Sequence, residues 1–391
     1  MSVPHPSLFS QLLGLVDRNT FGRLVRETGA ESRSKGFASW DQFVAMLFCQ
    51  LAGAESLREI SSGLRSCEGK MRHLGLSDAP GRSTLSYANA HRPWELYESL
   101  FFALLERVRE TAPGKRFRFK GKLYSIDATV IDLCASVFDW AHYRKSKGAI
   151  KLHLMLDHDG YLPAFACVTE GRVADVAFAQ GLSLPKGSVV VFDRGYNDYH
   201  LFERWTREGV RFVTRLKRNA DVYVVGGREV PAGKGLISDE EVESNVFQAG
   251  RKVVERYRRV KVWCKERQEE IVLLTNELEL AASTIAAIYK ERWQIELFFK
   301  AIKQNLKVKT FVGTNANAVK TQIWTALIAM LLVRYISFRS RLDWTLSNLV
   351  ALLRWNLFTH RNLWRWIDEP FGTPANAPPE TQLALNLDSS C

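Results

Sequence analysis

The sequence predicts a mixed α/β protein that begins with an all-helical part and carries a β-rich insertion. Three observations support this. Apolar residues recur at helical spacing through residues 1–114, as in SWDQFVAMLFCQLAGAE. After Pro113-Gly114 the period changes to alternation with β-branched runs, and the signals follow in the order three strands, helix, strand, helix, strand. Between residues 219 and 276 the pattern is strand-rich, with a Gly-Gly turn, and a long amphipathic helix follows.

Within residues 1–114, Ser39 or Asp41 is placed to cap SWDQFVAMLFCQLAGAE, and SLREISSGLRS and MRHLGL follow. A Pro80-Gly81 break precedes RSTLSYANAHR, which Ser83 opens. A short helix, a tight turn and a second polar helix fit a helix-turn-helix-like unit. Arg82, Ser83, Ser86, Asn89, His91 and Arg92 are its candidate phosphate and base contacts. A helical bundle with polar faces accounts for the same stretch equally well. WELYESLFFALLERVRE reads as a core helix.

In the next part, strands are expected at about Leu123 to Leu133, at IKLHLML and at YLPAFACVTE, with Asp159-Gly160 turning the last two into a hairpin. A helix over 174–182, the buried strand SVVVFD, a helix over 199–208 and the strand VRFVTRL complete the set. This is an antiparallel hairpin on a largely parallel sheet, and the order matches the ribonuclease-H-like fold of nucleases and transposases. The expected boundaries are 1–114 (helical), 115–218 with 277–310 (α/β), 219–276 (β insertion), 311–366 (helical, basic) and 367–391, a disordered tail containing Pro370, Pro374, Pro378 and Pro379.

Composition narrows the function. Of 391 residues, 54 are Lys or Arg against 42 Asp or Glu, a net charge of +12. Residues 289–366 hold 13 of those cations and three acids, so this fifth of the chain carries most of the excess, interleaved with aromatics as in RWQIELFFK and RNLWRW. Such a surface neutralises phosphates and stacks bases; solvated Lys/Arg faces over buried Trp are the alternative. The longest apolar run, Ile323 to Val333, is shorter than the roughly 20 residues of a bilayer span. MSVPHPSLFSQLLG lacks signal-peptide features. The six cysteines form no CxxC, so neither zinc nor a disulfide framework is indicated, and a reducing cytosolic compartment is expected.

Two acids stand out. Asp127 lies in mid-strand in SIDATVIDL, on one face with Ser125 and Thr129, where a charge is costly unless paired or metal-bound. A solvated edge strand would also tolerate it. Asp193 closes the apolar run VVVF, and the carboxyl ends of strands are where α/β sheets place ligands; a turn-capping role is the alternative. In IAAIYKERWQIELFFKAIKQNLKVK, the residues Tyr289, Arg292, Glu296, Lys300, Lys303 and Lys307 share one helical face beside an apolar one. Solubilising faces mix signs more evenly, so this stripe reads as phosphate-facing.

Tyr289, Arg292, Glu296 and Lys303 also stand in the Y-x₂-R-x₃-E-x₆-K spacing of IS4-type insertion-sequence transposases, which the chain resembles over about 115–310. SIDATVID resembles that family's first catalytic Asp region, VVVFDRGYNDY its second, and the helical N-terminus one branch's DNA-binding domain. The resemblance implies a DDE triad of Asp127, Asp193 and Glu296 holding two divalent ions, Mg²⁺ or Mn²⁺. It implies phosphate contacts from Arg292, Lys300 and Lys303 with Tyr289 alongside, and double-stranded DNA (element ends and target) as partner. A homodimer in the synaptic complex, a prokaryotic nucleoid-associated location and cut-and-paste chemistry via hairpin ends are implied too. Trp263, flanked by Lys261 and Lys265 in the insertion, would hold an unstacked base at such a hairpin or, alternatively, pack the insertion onto the sheet. A catalytically silent DNA-binding repressor and a structure-selective nuclease are the rival readings.

Overall fold

The computed structural model describes residues 5–32, 34, 36–67, 71–114, 121–133, 138, 140, 142–144, 147–230, 235–244, 246–248, 250–253 and 255–372. Most of the tail expected to be disordered lies outside them; its first residues finish a helix, and Arg361 Nη1 donates to the Pro370 carbonyl at 3.1 Å.

The first helices are α1 (Leu8–Leu13), α2 (Arg18–Thr28), α3 (Ser39–Phe48), α4 (Leu57–Arg65), α5 (Arg82–His91) and α6 (Glu95–Arg109). Asp41 caps α3 by accepting from the Ala38 N–H at 3.0 Å, whereas α5 starts one residue before Ser83 without a side-chain cap. The sheet region then runs β1 (Leu123–Leu133), β2 (His142–Arg144), β3 (Lys147–Asp157), β4 (Leu162–Glu170), α7 (Asp175–Gln180), β5 (Val189–Phe192), α8 (Tyr199–Arg207) and β6 (Arg211–Arg215). Strand β1 is antiparallel to β3 and parallel to β5, β5 is parallel to β6, and β4 pairs the far side of β3. This is the β4-β3-β1-β5-β6 arrangement of a ribonuclease-H-like sheet.

The insertion contributes β7 (Val222–Gly227), β8 (Leu236–Ser244), β9 (Val246–Gln248), β10 (Arg251–Val253), β11 (Arg256–Cys264) and β12 (Glu269–Thr275). Strands β12, β11, β8 and β7 extend the same sheet beyond β6, so backbone hydrogen bonds join the insertion to it. Strand β8 has no counterpart in the sequence reading, because its acid-rich LISDEEVES lacks an apolar alternation. Its acids face the basic strand β11. Arg258 and Asp239 form a buried bidentate pair, with both bonds at 2.7 Å, Arg259 binds Glu240 at 2.6 Å, and Arg256 lies 3.5 Å from Glu243. Much of the cationic excess in β11 is therefore neutralised across the strand pair rather than offered to phosphates.

Helices α9 (Ala282–Glu291), α10 (Trp293–Asn305), α11 (Ala316–Arg339), α12 (Leu346–Asn356) and α13 (Leu363–Asp368) complete the described chain. The sheet is covered on one face by α7 and α8 over Ile126, Phe192 and Phe212, and on the other by α9 over Leu123, Val191 and Val213. The two helical parts share one core. The Trp324 ring of α11 sits 5.3 Å from Phe101 and 5.9 Å from Phe102 of α6, and the Leu8 and Phe9 N–H groups donate to the Thr359 and Leu357 carbonyls. Helix α11 runs through Arg334, past the end of the apolar run, and is long and apolar enough to cross a membrane; four-fifths of its most apolar window is buried inside the protein, as a core helix would be.

Trp324 is fully buried, so Trp324→Ala should cost about 3–5 kcal/mol. Hydrogen exchange should show the loss in α3 and α6 as much as in α11; protection lost from α11 alone would mean that the two parts unfold separately.

Candidate active site

The register of β1 on β5 pairs Ile126 with Phe192. The next residue on each parallel strand is an acid, so Asp127 and Asp193 lie side by side, strands being about 4.8 Å apart. Asp127 Oδ1 accepts from the Ala128 N–H at 2.8 Å and Asp193 Oδ1 from the Arg194 N–H at 2.7 Å. The helix that brings the third acid breaks at Arg292: α9 ends at Glu291, α10 begins at Trp293, and the Arg292 N–H bonds Tyr289 three residues back. At this break the Arg292 side chain is buried. Its Nη2 binds Glu296 Oε1 at 2.7 Å, and its Nη1 lies 3.9 Å from Asp127 Oδ2.

Burial is the main cause that pushes the Asp127 carboxyl up to about 6; Glu296 and Asp193 add to it by repulsion, and Arg292 opposes it. The three acids therefore share one electrostatic environment, in which the Arg292 guanidinium offsets part of their mutual repulsion. The donor set, carboxylates only, suits a hard divalent cation in kind and in charge. Among the described residues, however, no three such groups lie close enough to hold one ion, since Arg292 stands between Asp127 and Glu296.

The rest of the expected stripe divides. Tyr289 is half-buried with the Arg292 guanidinium 5.8 Å from its ring centre, and burial raises its phenol pKa. Lys300 is exposed. Lys303 donates to the Val130 carbonyl of β1 at 2.8 Å, and burial lowers its pKa. Lys307 lies beyond α10 and pairs with Glu55 of the N-terminal helices at 2.9 Å, so it faces the helical body rather than the acids. Trp263 is 43% exposed, and its strand is held by backbone pairing, so the ring is not what docks the insertion.

On α5, Arg82, Ser83, Ser86, Tyr87 and His91 are exposed, with the Tyr87 and His91 rings stacked at 4.0 Å. Asn89 and Arg92 point inward instead. Arg92 is 8% exposed and donates to the Ala38 carbonyl, Gln42, Ser34 and the Phe37 carbonyl; Asn89 accepts from Gln42 at 2.8 Å. Both hold α3 to α5, and neither is presented to DNA. A basic pocket of about 330 Å³ that sequence reasoning missed lies beside Asp193, lined by Arg194, Lys217, Arg218 and Lys261 among others. Its signal was available in DRGY and LKRNAD, which place Arg194 and then Lys217 with Arg218 just past the ends of adjacent parallel strands.

Residues 118–332 match the family described as Transposase DDE domain. The chain belongs to the DDE transposase family. Residues 4–77 match a second family, described only as a domain of unknown function (DUF4372). The chain is 32% identical over 292 residues to a protein named as transposase y4zB of Sinorhizobium fredii, covering 73% of this chain and 80% of that one. It is 28% identical over 258 residues to a protein named as the transposase for insertion sequence element IS5377 of Geobacillus stearothermophilus, covering 65% and 67%. The cryo-EM structure of a piggyBac transposase synaptic complex with hairpin DNA superposes with a TM-score of 0.47 at 12% identity, over 96% of this chain and 85% of that one.

The raised carboxyl predicts a pH dependence. The folded state binds the Asp127 proton more tightly than the unfolded state does, so metal-free stability falls as pH rises between about 4 and 6. Asp127→Asn removes this penalty and should stabilise the metal-free protein at pH 7 by roughly 2–3 kcal/mol, with little gain at pH 3. Urea titrations across that range check it; equal curves for both proteins would mean the carboxylate is not destabilised.

Proposed function

We propose that the chain is the transposase of an insertion sequence. It binds the terminal inverted repeats of its element through the exposed face of α5, and it cleaves and rejoins strands at Asp127, Asp193 and Glu296. It works as a homodimer in the synaptic complex at the prokaryotic nucleoid. The observation that carries this reading is the position of the acids: Asp127 in β1 and Asp193 just past the end of parallel β5 follow a register pair, and Arg292, on the helix that carries Glu296, reaches both Glu296 and Asp127.

Asp127, Asp193 and Glu296 would hold two divalent ions, Mg²⁺ or Mn²⁺, which when bound supply activation of the attacking oxygen and charge neutralisation at the leaving oxygen. The chain's own groups do the positioning. Arg292, once its carboxylate partners are engaged elsewhere, has a planar fork suited to a phosphate of the reacting strand, and exposed Lys300 adds charge one turn further on. Lys303 steadies β1 beside Asp127 through the Val130 carbonyl. Arg194, Lys217 and Arg218 extend the cationic surface past Asp193. Arg82 and Ser83 open the exposed face of α5, where phosphate and base-edge contacts are made.

Asp127→Asn, Asp193→Asn or Glu296→Gln should abolish strand cleavage and leave affinity for element ends nearly unchanged, while Arg82→Ala should weaken end binding with the triad intact. Because α1–α6 share a core with α11–α13, gel-shift and cleavage assays belong on the full chain. A triad variant that cuts at the wild-type rate would remove that residue from the site.

Hairpin closure at the element ends would take a base out of the stack, and the exposed Trp263 ring beside Lys261 and Lys265 can hold it, at roughly 1–3 kcal/mol of stacking. Trp263→Ala should then spare the first nick, slow hairpin formation about tenfold or more, and be partly rescued by an abasic substrate at that position. Equal slowing of both steps would rule the stacking role out.

A further inference from the structure

Behind the triad lies a cavity of about 600 Å³, where the turn between β3 and β4 meets the end of α6 and the C-terminal end of α11. His158, Tyr161, Arg334, Arg341 and Trp344 are among the residues that line it. The turn is tightly built. Gly160 has φ +76°, and a Cβ there would fall 2.9 Å from Ala112 Cβ; Tyr161 holds a left-handed φ of 53°. A non-glycine residue in that conformation is strained.

The acids at this cavity, Asp343 in its lining and Glu291 beside His158, leave Arg334 without an ion pair among the described residues. Arg334 is half-buried, its Nε is sealed from solvent without a hydrogen-bond partner, and it forms no hydrogen bond or ion pair with any described residue. Burial lowers its pKa, and the group that opposes this is the Tyr161 phenol rather than a carboxylate. His158 is 4% exposed, and its Nδ1 also lacks a hydrogen-bond partner, with Glu291 Oε2 3.5 Å away. A buried guanidinium without a counter-charge is costly in a folded protein and is satisfied by an anion with several acceptor oxygens.

We propose that this cavity is a phosphate-binding pocket in which Arg334 and His158 grip a backbone phosphate of the bound DNA. Its position suits that role. His158 Nε2 bonds Ser125 Oγ at 2.6 Å, and Ser125 shares a face of β1 with Asp127. The Tyr161 hydroxyl donates to Glu291 at 3.2 Å, and Glu291 immediately precedes Arg292. A phosphate seated here sets the register of the strand relative to the acids through both elements. Only the source of the phosphate rests on the transposase reading; the anion site does not.

The test uses the full-length protein, wild type and Arg334→Met, without metal. In phosphate-free buffer the variant should melt at or above the wild-type temperature, because no partner of the guanidinium is lost. Inorganic phosphate at constant ionic strength should raise the wild-type melting temperature by about 2 °C or more relative to the variant. For duplex DNA of the element end, the variant should bind roughly tenfold more weakly at fixed salt, with a log–log salt slope smaller by about one. Arg334→Lys, which keeps the charge without the fork, should restore part of both effects. A variant that melts below the wild type in phosphate-free buffer, or gains as much from phosphate, overturns the pocket. A phosphate effect lost in the variant with unchanged DNA affinity and slope assigns the pocket to free phosphate and overturns the DNA assignment. Loss of cleavage in triad variants is read separately, so failure of the pocket and failure of the transposase reading are distinguishable.

Discussion

A carboxylate in the middle of a buried strand is the constraint around which this molecule is arranged. Asp127 is desolvated and has two acids for neighbours, and among the described residues the cation that reaches it is Arg292, at 3.9 Å. For that guanidinium to reach β1 while binding Glu296, the late helix breaks at Arg292 and the side chain turns into the protein. The turn at Arg292, its buried guanidinium and the raised carboxyl meet at this one point, where burial is the main cause of the shift. An amide at this position would relieve the desolvation penalty and remove a carboxylate from the proposed metal site.

The helix carrying Glu296 is anchored from both ends of the chain. Beyond α10, the buried Gln50 side chain accepts from the Lys307 N–H and donates to the Gln322 carbonyl, while Gln322 donates to the carbonyls of Lys307 and Thr310. Two amides thus fix the segment that leaves the site against the helical body that carries α5. Buried amides left unpaired would each cost about 1–3 kcal/mol, so this joint tolerates little play. The face of α5 and the acids are therefore held in a set relation by polar bonds as well as by the shared apolar core.

The insertion solves a different charge problem. Strand β11 carries cations at Arg256, Arg258 and Arg259, which would repel one another on an isolated strand. The acids of β8 pair with each of them, and Arg258 and Asp239 are sealed together at 3% and 4% exposure. With those cations neutralised, the charge left for a polyanion lies at Arg194, Lys217, Arg218 and Lys261, which line one pocket.

What the sequence determined by itself is what short-range pattern can encode. The alternation and β-branching of 123–133 and 189–192 specify strands, the 3.6-residue period specifies the helices, and Tyr289, Arg292 and Glu296 at their spacing place three polar groups on one side of a helix. Asp127 in the middle of β1 and Asp193 just past β5 could be read as sites because an acid within or after an apolar run stands out locally. Pairings across long separations were not legible. Strand β8 is polar and forms because β11 supplies its counter-charges. Arg92 and Asn89 look like surface groups on a polar helix, and they become buried because α3 packs over them. Lys307 continues the phosphate-facing stripe in sequence, and it leaves that stripe because the helix ends at Asn305 and Glu55 is near. Only the tertiary structure decided these placements, because a charge takes the partner that folding brings to it, and local spacing records nothing about a partner hundreds of residues away.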